Sequence, residues 1–556
     1  MPIRKQLLDE LGGLRNKHER ETFTLVGGFE GQFNNGWNWR ATHQHGKFVD
    51  NITNTNLIMG TRFTNAVDVI SDPSTGMPVC RSAEARAEGC LPVNLFERQP
   101  FSQGQRDYFV RDRTQRVQNT QDLTTLSLYG NLVELPHGPL SFAVGAERRK
   151  ETLRTNDDPL ALSGELYFFG VVPSEALSES FEVMEAYAEI TAPVLGDLPF
   201  IRKLTLEVAI RVSDYSTIGT TTAWRAGANW QVNDDIRLRT VRSASVRAPN
   251  LFEMYQPLAM STLRITNPCS SVLIDAKPNR RANCAAMGID HVVDDQNLTT
   301  SWSGGNRQLK EEKSNSFSAG ITVTPSFLPG LMLKADYYNI EIDGAVSSFT
   351  AQQYVNNCFD APAIKNPFCA QIHLDENNLI NEVYVGNINV AKLETSGIDF
   401  GIDYNLSLGS LGRLNLYANG TYLIKKSQQV VPDDASTKII QAGEYTDPEW
   451  MVNTRISYMN KGFTLSMSNR YIGKSRVDVQ SNLEYYDRPY VASRFYTDFM
   501  LSQRINEKAQ FYIGINNAFN VTPPEIAHSY IYAGVLGGAR YDNLGRYFHT
   551  GVNFDL

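Results

Sequence analysis

The sequence predicts an all-β chain folded as an antiparallel transmembrane β-barrel, and three observations predict it. The first is a period of two in hydropathy. Leu204, Leu206, Val208, Ile210 and Val212 alternate with Lys203, Thr205, Glu207, Ala209 and Arg211, and the rhythm returns where Trp224, Ala226, Ala228 and Trp230 alternate with Arg225, Gly227, Asn229 and Gln231. The second is length: such segments run to about ten residues, longer than a sandwich strand and close to what a tilted strand needs to cross a bilayer. The third is that short turns alternate with long connectors along the chain. Outer-membrane barrels sort their connectors in this way, with short periplasmic turns and long external loops. Sandwiches and propellers have no reason to do so.

Taken in order, alternation marks Phe23 to Phe33 and Trp37 to His45, joined by Asn34-Asn35-Gly36. Leu123 to Val133 and Leu140 to Arg149 flank Glu134 to Pro139, and Phe181 to Ala192 precedes Lys203 to Val212. Thr222 to Gln231 and Ile236 to Val241 flank Val232 to Asp235, while Ser316 to Thr324 and Leu331 to Ile342 flank Ser326 to Gly330. Gly397 to Leu406 and Arg413 to Ile424 flank Ser407 to Gly412. Val452 to Tyr458 and Phe463 to Tyr471 flank Asn460-Lys461-Gly462, Phe495 to Gln503 and Gln510 to Asn516 flank Asn506 to Lys508, and Tyr547 to Leu556 ends the series. These make about 17 strands. The turns carry the Gly, Asn, Asp and Pro that tight reversals require.

The long connectors are Lys47 to Asp122, Leu153 to Ser178, Ser245 to Glu311, Gly344 to Val390, Lys426 to Glu449, Lys474 to Val491 and Asn517 to Leu544. Ser213 to Thr221 is of middle length where the scheme asks for a long loop. The expected organisation is 1–22 as the remnant of an extracellular loop or a non-native start, and 23–556 as part of the barrel.

Composition bounds the function. A mean hydropathy of -0.31, with no apolar run long enough for a membrane helix, excludes a helical membrane protein but is blind to a barrel, where every second residue meets lipid. The net charge of -8, without a basic block, argues against nucleic acid as a partner. No G-x-S-x-G, H-E-x-x-H or phosphate-binding loop is present, so no catalytic residue, cofactor or metal site is assigned.

The six cysteines fall into neighbours, Cys80 with Cys90, Cys269 with Cys284 and Cys358 with Cys369, each pair inside one polar connector. Local disulfides are the economical reading and require an oxidising compartment. Zinc is the weaker alternative, since the short paired spacing of a zinc site is missing. The segment before Phe23 has basic residues but no apolar core of signal-peptide length. With the barrel reading, that leads to the expectation of a fragment.

Several stretches resemble the TonB-dependent outer-membrane receptors of proteobacteria: VRSASVRAPNLFEMY (241–255), GNRQLKEEKSNSFSAGITVTP (305–325), CRSAEARAEGCLPVNLF (80–96), ETSGIDFGIDY (394–404), NNAFNVTPPE (516–525) and YDNLGRYFHTGVNFDL (541–556). Arg247, Ala248, Pro249 and Asn250 form the centre of the first motif. The resemblance implies a barrel of about 22 strands, with about five strands, the signal peptide, the TonB box and the plug outside this sequence, and little activity without them. It further implies a receptor in the outer membrane of a Gram-negative bacterium. Such a receptor takes up a scarce nutrient, most often a ferric siderophore, with energy delivered by the TonB complex through the plug. A cobalamin or saccharide ligand, a passive channel and a surface adhesin are the alternatives.

Other implied partners are outer-membrane lipid and the barrel-assembly machinery. Phe548, Phe554 and Leu556 share one face and stand for the C-terminal assembly signal, although the family ends on an aromatic residue and this chain on Leu. Candidate ligand contacts are the arginines on the polar, lumen-facing side of the strands, Arg211, Arg225, Arg237, Arg239, Arg413, Arg455 and Arg470, an excess that would attract an anion. The competing reading is that they hydrate the lumen and touch the plug. His43 and His45 share a strand face with Trp37, Trp39 and Ala41, which places them at the outer interface rather than in a metal site.

Overall fold

The computed structural model describes residues 8–96, 99–166, 175–289, 296–430, 437–480, 488–525 and 540–554. One sheet of 21 strands dominates. Seventeen of them are long staves, each antiparallel to the next in sequence. They are β1 (Arg15–Gln32), β2 (Asn38–Ile58), β3 (Val110–Leu135), β4 (Gly138–Asp157), β5 (Leu177–Leu198), β6 (Ile201–Tyr215), β7 (Gly219–Gln231), β8 (Ile236–Arg247) and β9 (Glu312–Val323). Then follow β10 (Leu331–Ser348), β11 (Ile380–Ser407), β12 (Arg413–Gln429), β13 (Trp450–Asn460), β14 (Phe463–Ile472), β15 (Arg494–Arg504), β16 (Ala509–Asn516) and β17 (Tyr547–Phe554). Each alternating segment of the sequence lies inside one stave, overrunning it by no more than one residue, apart from the last, whose final residues lie outside the described ones. Among the described residues no pairing joins the first stave to the last.

The staves are longer than the alternation suggests, and they lengthen toward the long connectors. The first begins at Arg15, inside the segment expected to precede the barrel, because Arg15–Thr22 is polar on both faces and carries no apolar rhythm. Lys47–Ile58 and Val110–Asp122 are likewise paired strand rather than loop, since their few apolar residues, such as Phe48, Val49 and Val117, keep no period of two. Ser213 to Thr221 also departs from expectation. Its ends are strand, paired Ser213↔Thr221 and Tyr215↔Gly219, which leaves a reversal of Ser216, Thr217 and Ile218.

The short turns obey local stereochemistry. At Asn460↔Phe463 the two intervening residues, Lys461 and Gly462, both have positive φ, 46° and 81°, the conformation that matches the twist of a two-residue hairpin.

The two faces of the sheet differ as a membrane wall requires. Outward, Leu206, Val208, Ile210 and Val212 lie in register with Ala228, Ala226, Trp224 and Thr222, and Val208 is 56% exposed. Trp224 and Trp230 mark the two ends of this apolar stripe. Inward lie charged and hydroxyl side chains, among them the buried Glu185 and Ser213. No described helix is long and apolar enough to cross a membrane.

The buried apolar core sits beyond the wall, in two caps built from the long connectors. The first runs between the second and third staves. Helices Gly60–Val67, Ala83–Ala87 and Gln103–Phe109 enclose Phe63, Ala66, Ala85, Tyr108 and Phe109, with the Cys80–Cys90 disulfide in the same core. The second joins strands Ala259–Thr266 and Gln296–Gly304 to the extension of β11, the latter strand running parallel to it. Helices Arg280–Ala286 and Ala351–Asp360 cover that small sheet. Tyr354, Phe359, Phe368, Ile265 and Ile380 are buried in its core beside the Cys269–Cys284 and Cys358–Cys369 disulfides. All three pairings are those expected from the sequence. Cα separations are 6.3, 5.8 and 4.7 Å.

Candidate functional site

The seven candidate arginines separate into three groups. Arg211, Arg225 and Arg239 are neutralised by carboxylates of the wall. Arg211 lies 3.3 Å from Glu185, Arg225 3.7 Å from Glu207, and Arg239 2.6 Å from Asp336. These pairs neutralise each other within the wall and leave little charge for a ligand. Arg237 and Arg413 stand beside short turns, opposite Gln231 and Ser407, at the end of the wall remote from the caps. Neither makes an ion pair among the described residues.

Arg455 and Arg470 form the third group. Register brings them together, since Arg455 pairs with Ser468 and Arg470 with Asn453 on one face of adjacent staves. The Arg455 Nε donates to Ser468 Oγ at 3.1 Å, and the Arg470 guanidinium lies 4.9 Å from the centre of the Tyr496 ring. No carboxylate lies within ion-pair distance of either among the described residues. Both line a cleft of about 730 Å³ that is also bounded by Tyr417, Asp498, Tyr541 and Tyr547. The described loop residues Tyr541 and Asp542 hold its edge, where the Asp542 N–H donates to the Tyr496 hydroxyl at 3.3 Å. The four aromatic and acidic neighbours were absent from the sequence-based candidates. Spacing gives no sign of them, because they come from three separate segments, at 417, 498 and 541–547.

The motif Arg247-Ala248-Pro249-Asn250 lies at the loop end of β8, where it starts the short helix Leu251–Tyr255. Asn250 caps it, its side chain accepting from the Glu253 N–H while the Glu253 carboxylate accepts from the Asn250 N–H, both at 2.8 Å. Arg247 grips Glu312 through Nε at 2.6 Å and Nη2 at 2.7 Å, and reaches Glu253 at 3.1 Å. Hydrogen bonds that Arg247 donates to Glu312, and then to Glu253, hold its guanidinium above its ordinary range. Burial pushes the Glu312 carboxyl up, but the Arg247 and backbone hydrogen bonds outweigh it and hold it low.

The remaining predicted residues are placed as follows. His45 Nδ1 is 2.7 Å from Asp122 and His43 Nδ1 2.9 Å from Thr124, on the outward face that also carries Leu126. Phe548 and Phe554 project outward and are strongly exposed. Leu556 lies outside the described residues.

The model of a family described as "TonB dependent receptor-like, beta-barrel" matches residues 6–518. No curated protein matches the chain. Among solved structures, the siderophore receptor PirA of Acinetobacter baumannii is similar at a TM-score of 0.57 and 12% identity, over 97% of this chain and 62% of that one. A mutant of the ferric enterobactin receptor PfeA of Pseudomonas aeruginosa gives 0.57 and 14% over the same shares. FpvA of P. aeruginosa, bound to a pyoverdine, gives 0.53 and 14% over 96% and 56%. The chain thus spans about three-fifths of the length of these structures, and at such identities the likeness is one of fold. On the match to most of its length, the chain belongs to the TonB-dependent receptor-like β-barrel family.

Proposed function

We propose that this chain is the wall and loop portion of an outer-membrane receptor of a Gram-negative bacterium. Its ligand is a scarce nutrient in anionic form, a ferric siderophore or similar chelate, and its role is transport rather than catalysis. TonB drives uptake through the plug characteristic of the family. The observation that carries the reading is the charge contrast on the inner face. Arg211, Arg225 and Arg239 have carboxylate partners, whereas Arg455 and Arg470 line a cleft shared with Asp498 and Asp542 and, among the described residues, have no carboxylate within ion-pair distance. Two unpaired cations beside tyrosine rings suit a multiply charged, partly aromatic ligand. The outward apolar stripe fits the proposed membrane location, and the exposed Phe548 and Phe554 fit recognition by the barrel-assembly machinery.

The test is binding and uptake of radio-iron-labelled ferric enterobactin and ferric pyoverdine by iron-starved cells that express the natural gene and lack other receptors. Saturable, TonB-dependent uptake of one probe is expected. Arg455→Ala with Arg470→Ala should weaken its binding by roughly tenfold to a hundredfold, the range for losing hydrogen bonds to charged groups. Saturable uptake that is indifferent to both substitutions would remove the cleft from the assignment, and uptake of neither probe would remove the ligand class.

A further inference from the structure

Helix Leu251–Tyr255 joins three parts of the molecule. Its buried Leu251 packs with Leu153, Leu177, Phe181 and Val183 of the inner face. Its backbone carries the second cap: the Asn306 N–H donates to Glu253 O at 2.9 Å, the Gly305 N–H to Gln256 O at 2.8 Å, and Asn387 Nδ2 to Glu253 O at 3.2 Å. Its Glu253 side chain is bound by Arg247.

We propose that this helix is a latch that holds the second cap folded against the inner face, and that the Arg247–Glu253–Glu312 cluster keeps it shut. Arg247 ends one stave and Glu312 begins the next, so their pairing is internal to the wall and persists in both states. Glu253 is the releasable arm. A helix of five residues has no stability of its own, so once Glu253 lets go, what remains to hold it is the packing of Leu251, Met254 and Tyr255, the last also under the Arg307 guanidinium at 4.9 Å, and a few hydrogen bonds. The cap carries two disulfides and its own buried core, so it moves with the helix as one body. The inference holds whichever ligand the cleft takes.

Hydrogen exchange on the full chain in native outer-membrane vesicles tests it. The Asn306 amide reports directly on the latch, since its acceptor is the carbonyl of Glu253. Glu253→Gln keeps the shape and the capping oxygen but removes the charge. About tenfold faster exchange is expected, in concert, at residues 253–256 and at Gly305 and Asn306. Exchange within helix Ala351–Asp360 and in the Cys80–Cys90 cap should stay unchanged. Faster exchange of the helix alone would reduce it to a fraying turn, and unchanged exchange at both would overturn the latch. If Glu253→Gln does not assemble, Arg247→Lys, which keeps the charge but loses the fork, should give the same concerted pattern in weaker form. Its absence there counts equally against the latch.

Discussion

The wall and the caps place apolar side chains in opposite directions. Along the wall's lipid-facing stripe they point outward and stay exposed, as Val208 and Phe29 do at 56% and 78%, and the staves are held by ladders of backbone hydrogen bonds. In the caps they point inward, where Tyr354, Phe359 and Phe368 are fully buried beside disulfides. The difference follows from the surroundings. Lipid rewards an apolar surface and forbids an unpaired backbone group, whereas water rewards a closed core. One chain therefore obeys two folding rules, and the boundary between them is the end of the apolar stripe.

That contrast can be broken by experiment. The largest effect is expected from Phe359→Ala, which opens a cavity in the second cap at a cost of about 3–5 kcal/mol. Denaturant-dependent hydrogen exchange should show residues 259–289, 296–304 and 351–374 losing protection while the wall keeps its heat-modifiable mobility on an unheated gel. Loss of both together would mean that wall and cap are one cooperative unit. Next is Val208→Arg, which puts a charge on the lipid face midway between Trp224 and Trp230 at about 2–4 kcal/mol. It should lower the yield of folded, membrane-inserted protein and leave cap protection intact. An equal yield would contradict the assignment of that face to lipid.

The smallest effect concerns pH, at the loop end of β11. Hydrogen bonds from Lys425 and Lys438 hold the Glu394 carboxyl down to about 2. A carboxylate lowered on folding adds stability above its unfolded range, and that contribution fades as pH falls toward the folded value. After correction for intrinsic rates, exchange at Lys438–Ile440 should quicken between about pH 5 and about pH 2, with little change among the staves. A flat profile would show that the lysines do not hold this strand.

The staves were legible in the sequence wherever one face meets lipid, because alternation is the direct print of that contact. Beyond the stripe, in Asn51–Asn56 or Arg113–Asp122, a single apolar residue (Ile52, Val117) stands among polar ones and the period vanishes although the ladder continues. The cysteine pairs marked where the caps lie, but not their helices or cores, which depend on contacts between distant segments. The site shows the same limit. Arg211 and Arg455 look alike in sequence, and it is the register that sets Glu185 beside one and an open cleft beside the other. Counting residues outward from the reversal at Ser216–Ile218 would have found Arg225 near Glu207. No such count connects Arg239 with Asp336, which belong to strands separated by the long connector Ser245 to Glu311 and by β9.

The disulfides close over 10, 15 and 11 residues, so no covalent tie runs from one cap to the other or into the wall. Each cap is thus an exchangeable cassette. A change inside one cap therefore meets no cysteine constraint from the other cap or from the staves.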